Sequence, residues 1–269
     1  MRNLIFGALF MLLSSSAVAA ATEDFKKGLQ AFRKGDYVEA MLLWHPLTVL
    51  DGDVNAQNGL GVLYAQGAGV QKDPAEAAKW FRKAAEKGHA RAQNSLGVMY
   101  AQGQGVEKDP KEAEKWIRKA AEQGYADGQK NLGLVYDHGI GVARDTAEAA
   151  RWYNLAAEQG HPQAQNNLGV LYVRGDGVAQ SDAEAAKWFR HASERGHADA
   201  LSNLGDLYAS GRGVPQDTVQ AHMWFELALA AGNQKAKAGL DRLAKEMSPN
   251  DIAKAKRLAQ EWQAKRSRK

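Results

Sequence analysis

Tryptophan recurs at Trp44, Trp80, Trp116, Trp152, Trp188 and Trp224, always 36 residues apart, and tyrosine keeps step at Tyr64, Tyr100, Tyr136, Tyr172 and Tyr208. Two ladders in phase mean that one structural unit is copied along the chain. A unit this short cannot bury an apolar face alone, so its copies must stack. That constraint overrides the length of 269 residues, which by itself would suit one or two globular domains.

Each copy reads as two short helices. In the segment from Ala90 to Gly124, Ala92, Leu96, Gly97, Met99 and Tyr100 form an apolar stripe at helical spacing, and Gly103 and Gly105 end this helix A. Asp109-Pro110-Lys111-Glu112 then starts helix B, with Asp as N-cap, Pro at the first helical position and Glu placed to reach back to the cap. Ala113, Trp116, Ile117, Ala120 and Ala121 make its buried face. The start recurs at Asp73, Asp145, Ser181 and Asp217, which predicts five reciprocal capping boxes. Gly61, Gly97, Gly133, Gly169 and Gly205 lie inside helix A, where glycine costs roughly 1 kcal/mol relative to alanine. The recurrence predicts that helix B approaches closely there, with Trp and Tyr filling the space between neighbouring pairs.

The pattern Ala92-Gln93-x-x-Leu96-Gly97-x-x-Tyr100-x-x-Gly103-x-Gly105-Val106, followed by Asp109, Ala113, Trp116, Lys119-Ala120-Ala121 and Gly124, resembles the Sel1-like repeat family, related to TPR repeats. The resemblance implies an all-α, right-handed α-solenoid of about seven helix pairs. The first pair, with Gly35-Asp36-Tyr37 and Trp44, is similar to the divergent opening repeat of bacterial members. At the other end Trp262 lies two residues beyond register, and Ser248-Pro249-Asn250-Asp251 starts a helix with Ile252, Ala255, Ala259 and Trp262 on one side, which reads as a cap. The organisation expected is a signal peptide over 1–20, the solenoid over 22–247 and a capping helix with a basic tail over 248–269.

Arg2 precedes an apolar run from Leu4 to Leu13, and Ala17-Val18-Ala19-Ala20-Ala21 suits signal peptidase. The run falls short of the roughly 20 residues of a spanning helix, so no membrane span is expected. Without cysteine there is no lipid attachment at a cleavage-site thiol, no disulfide framework and no thiolate metal site. The destination expected is periplasmic or secreted. Net charge is +4, yet residues 242–269 alone carry nine Lys or Arg against three acids. The positive charge belongs to the C-terminal end, which reads as a solvated tail able to touch anionic lipid, and it argues against nucleic acid as a partner of the repeats.

No catalytic or metal-binding constellation stands out in the sequence. His89, His161 and His197 share one repeat position with Asp53 and Asn233, directly before helix A; they read as caps, since residues one repeat apart lie about 10 Å from each other and one metal cannot bridge them. His45, His138, His191 and His222 occupy four different positions. The Gly-x-Gly loops lack the strand and the Gly-Lys-Ser/Thr ending of a phosphate cradle. Neither Ser-x-x-Lys, Lys-Thr-Gly nor Gly-x-Ser-x-Gly occurs, so the β-lactamase activity described for cysteine-rich relatives has no residues here to carry it. The expectation is a non-enzyme without cofactor or metal, binding a protein or peptide in a concave groove. The resemblance implies work in envelope signalling, assembly or host contact. The alternative partner is a cell-wall glycan. Variable helix A positions Asn58, Ser95, Asn131, Asn167 and Asn203 are the expected contacts. Amino-terminal sequencing of the exported protein should begin at Ala20, Ala21 or Thr22; a chain retaining Met1 would contradict the leader.

Overall fold

The computed structural model describes residues 20–50 and 52–267. The leader up to residue 19 and the last two residues of the basic tail lie outside them. Among the described residues there are fourteen helices and no strand: α1 (20–34), α2 (Tyr37–Leu50), α3 (Val54–Gln66), α4 (Pro74–Glu86), α5 (Ala90–Gln102), α6 (Pro110–Glu122), α7 (Ala126–His138), α8 (Thr146–Glu158), α9 (Pro162–Arg174), α10 (Asp182–Glu194), α11 (Ala198–Ser210), α12 (Thr218–Ala230), α13 (Ala236–Leu243) and α14 (Pro249–Arg266). Odd-numbered helices are A helices and even-numbered ones are B helices, giving the seven pairs of a repeat solenoid. The chain divides into two compact units, the first ending at Gly128 and the second beginning at Gln129.

The caps obey half of the expected rule. Asp73 accepts from the N–H groups of Ala75 and Glu76 at 2.9 Å, and Asp109 and Asp145 repeat the arrangement. The reciprocal half is replaced. The backbone N–H of each cap donates instead to the ladder tyrosine's carbonyl at the end of helix A: Asp73 to Tyr64, Asp109 to Tyr100, Asp145 to Tyr136, Ser181 to Tyr172 and Asp217 to Tyr208, at 2.9–3.1 Å. One bond thereby satisfies a donor that starts helix B and a carbonyl orphaned where helix A stops. The freed glutamates pair with lysine or arginine three residues on, as in Glu76–Lys79 at 2.9 Å and Glu148–Arg151 at 3.5 Å, and Glu112 also accepts from the Trp116 indole at 3.0 Å.

The recurring glycines Gly61, Gly97, Gly133 and Gly169 do mark close approach, but the tryptophan is not what approaches them. A Cβ on Gly61, Gly133 or Gly169 would meet the ring of Phe81, Tyr153 or Phe189 at 2.4–2.6 Å, in each case the residue after the ladder tryptophan. At Gly97 the contact reaches backbone: the added carbon would lie 2.9 Å from the Ala113 carbonyl oxygen and 3.0 Å from the Ile117 nitrogen. Trp80 and Trp116 reach towards the preceding repeat instead. Trp80 joins the core of Trp44, Leu60 and Leu63, and Trp116 joins that of Phe81, Ala84 and Leu96. The loop at Gly103 and Gly105 splits its work likewise. Gly103 is the left-handed C-cap of α5, whereas a side chain on Gly105 would strike the Pro74 carbonyl at the start of α4.

At the C-terminal end, α14 lays Ala255 and Ala259 against α12, and Trp262 meets Trp224 edge-on at 5.9 Å. The tail is less free than its composition suggests. Arg266 is helical, lies over Trp262 and donates to the Arg195 carbonyl at 2.7 Å.

This packing sets the sign of two stability effects. Helix propensity favours Gly97→Ala by about 1 kcal/mol, but forcing two backbones apart costs about 1–3 kcal/mol. Urea unfolding should show net destabilisation; a stabilised variant would contradict the contact. The second effect concerns the histidine caps. Nδ1 of His89 and His197 accepts the N–H of Ala92 and Ala200, and burial pushes both imidazoles below their ordinary value of 6.5. Buried His222 is lowered for the same reason. Below pH 6.5 the unfolded chain therefore binds more protons, so this stability is full above that pH and is lost on acidification. The melting temperature should fall between about pH 7 and about pH 5. Combining His89→Asp and His197→Asp, copying the Asp53 cap, should shrink the fall without abolishing it.

Candidate functional site

Packing consumes most of each A helix. In α3, Ala56, Leu60, Gly61 and Leu63 are buried, and equivalent positions are buried in α5, α9 and α11. The remaining face carries Asn58, Gly59, Val62 and Gln66 and their counterparts one repeat on. In each unit this face lines recesses.

The first unit has two, divided by Val62. One, of about 350 Å³, lies among α1, α3 and the start of α5, with Phe25, Leu29, Phe32 and Trp44 as apolar walls and Asn58, His89 and Arg91 also lining it. The other, of about 510 Å³, lies between α3 and α5, among Ala65, Phe81, Ser95, Val98 and Met99. The second unit is different in chemistry. One of its recesses, of about 600 Å³, is lined mostly by polar and charged residues, Arg174, Asp199, Asn203, Asp206, Lys235 and Arg242 among them, with Val170 and Phe225 as apolar wall; a second, of about 480 Å³, adds Val173, Phe189 and Leu207. Asp206 and Arg242 stand 3.9 Å apart. Desolvation between the walls raises the Asp206 carboxyl and Arg242 opposes the shift. Asn233 donates to Asp199 at 2.9 Å. Such a surface offers charge and hydrogen bonds, whereas the first unit offers apolar volume.

The five sequence-predicted contacts occupy two registers. Ser95, Asn131, Asn167 and Asn203 share one position, which is Gly59 in α3; Asn58 sits one residue earlier, in line with Asn94, Lys130, Asn166 and Ser202. Asn58 and Ser95 line the two recesses of the first unit, and Asn203 lines that of the second. Asn131 accepts from Lys130 at 2.6 Å and Asn167 from Gln163 at 3.4 Å, and neither lines the recesses described. Sequence reasoning missed Arg174, Asp206 and Arg242. The signal was available one turn further on, where Val62, Val98, Leu134 and Val170 give way to Asp206 and Arg242 at the same repeat position.

Among the described residues no cluster of three metal-ligating His, Asp or Glu side chains forms, and no helix is long and apolar enough to cross a membrane.

The Sel1 repeat family matches over residues 54–89, 90–125, 126–161, 162–197 and 198–233, in register with the ladder. No curated protein matches. Among solved structures, c5321, a protective antigen present in uropathogenic Escherichia coli strains and displaying an SLR fold, is 35% identical with a TM-score of 0.78, over 97% of this chain and 56% of that one. The chain thus spans little more than half the length of that antigen. A Sel1 repeat protein from Oxalobacter formigenes is 34% identical with a TM-score of 0.76, over 88% of this chain and 96% of its own. The matched repeats run through α3 to α12 and carry most of the core, so the chain belongs to the Sel1 repeat family.

Proposed function

We propose that this chain is an exported, non-catalytic adaptor that holds a protein or peptide on the faces of its A helices, in the periplasm or outside the cell. One observation carries the reading. Several repeat positions that line the recesses change from copy to copy, as where Val62 and Val98 give way to Asp206 and Arg242, while Leu60, Gly61 and their counterparts recur and are spent on packing. A stack of helix pairs is suited to that division, since the scaffold stays constant while its contact surface varies. Sel1 repeats generally mediate protein interactions, and the leader-like N-terminus supports export. Envelope signalling, assembly or host contact are the settings this implies.

Crosslinked capture of the tagged protein from its native envelope should yield one dominant protein. Combining Arg174→Glu and Arg242→Glu should reduce its yield at least about tenfold, corresponding to about 1.4 kcal/mol, with an unchanged circular dichroism spectrum. Recovery of wall glycan alone, or of nothing, would overturn the reading.

A further inference from the structure

His222 puts a titratable ring where the other repeats put a methyl group or a paired carboxylate. Ala78, Ala150 and Ala186 hold its repeat position in α4, α8 and α10, and Glu114, paired with Arg118, holds it in α6. The position looks towards the following repeat, since Ala78 belongs to a core that Trp116 helps to form. After α12 the following B helix is α14, whose Ala255 and Ala259 pack on α12 and whose Trp262 meets Trp224.

The ring has no partner in that seam. The residue is 3% exposed, and its Nδ1 is buried without a hydrogen bond. Buried polar groups in folded proteins are nearly always paired, so an exception asks for a cause. Glu226, one turn on in α12, holds its Oε1 3.9 Å from Nδ1, beyond hydrogen-bond reach. Lys256 acts on the ring from α14 and opposes a charge there. α11 and α13 turn Asp199, Asp206 and Arg242 to the recess and the Lys237–Asp241 pair to solvent.

A neutral imidazole is tolerated in such a place, whereas an imidazolium would be a buried charge facing a lysine. Undocking α14 returns the ring to water, where it protonates near its ordinary value of 6.5. Opening therefore takes up a proton below that pH, and each further pH unit favours the open helix by up to about tenfold. Little else holds α14 down, for its buried residues are the two alanines.

We propose that His222 is a pH latch on the C-terminal cap: the neutral ring lets α14 seat on α12, and its protonation unseats α14 and opens the end of the second unit, Trp224 included. Such a terminal face is what repeat proteins ordinarily keep capped. The latch stands apart from the partner-binding reading above and does not depend on it.

Hydrogen–deuterium exchange of the full chain, corrected for the intrinsic rate at each pH, tests it. From about pH 7.5 to about pH 5, opening of α14 should rise at least about tenfold, while α8 and α9 stay protected. His222→Ala, which copies Ala78, should leave α14 equally protected at both. Lys256→Glu, at an exposed position, places a carboxylate beside the imidazolium and should hold α14 closed to lower pH; it decides the matter if the alanine variant packs poorly and is open throughout. Unchanged protection of α14 in the wild type, an acid loss that persists in His222→Ala or is unmoved in Lys256→Glu, or opening of α8 and α9 together with α14 would overturn the latch.

Discussion

Two helices can lie closer than side chains ordinarily allow only where one of them has none, and this fold depends on that opportunity. Gly61, Gly97, Gly133 and Gly169 each admit the residue that follows a ladder tryptophan, and at Gly97 the backbones themselves come into contact. Glycine in a helix interior is locally unfavourable by roughly 1 kcal/mol, so its value lies in the tertiary contact. With the hairpin closed by the residue after it, the tryptophan is released to reach the preceding repeat. Trp80 and Trp116 are each buried in a core that joins the B helix of the preceding repeat to the A helix of their own. Adjacent residues of one helix thus divide the work of making a pair and of stacking pairs.

A second economy operates in the loops. The first glycine of a Gly-x-Gly turn takes the left-handed conformation that stops helix A, and the second, at Gly69, Gly105, Gly177 and Gly213, lets the loop press against the start of helix B in the previous repeat. The bond from each B-helix cap to the ladder tyrosine's carbonyl then ties the two helix ends together. These contacts use backbone and small side chains and recur with little change. Positions facing away from them vary more freely, and there the two units differ, the first in apolar recesses and the second in a charged one.

Much of this architecture is legible in the order of the residues. The 36-residue ladders fix the number and phase of the helix pairs, and the Asp-Pro and His starts place helix boundaries, because capping is decided by a few adjacent residues. Contacts between elements are harder to read. Helical periodicity puts Trp116 and Ile117 alike on a buried face, but says nothing about which neighbour each one meets. Glu112 has the spacing of a reciprocal cap, yet the Asp109 N–H finds the Tyr100 carbonyl, a partner nine residues back that local pattern does not reveal. The site suffers from register. Grouping Asn58 with Ser95 mixes two neighbouring positions, and only the packed helices show that residues in those two registers can pair, as Asn166 and Asn203 do.

The claim on which function turns is that the A-helix faces are the contact surface. Hydrogen–deuterium exchange of the chain alone and with its crosslink-identified envelope partner tests it most directly, since exchange reports which helices a partner shields. The account predicts added protection in the A helices α3, α5, α9 and α11, with the outer faces of α4, α6 and α10 unchanged. Protection concentrated on those outer faces, around Lys79, Lys115 and Lys187, would contradict it.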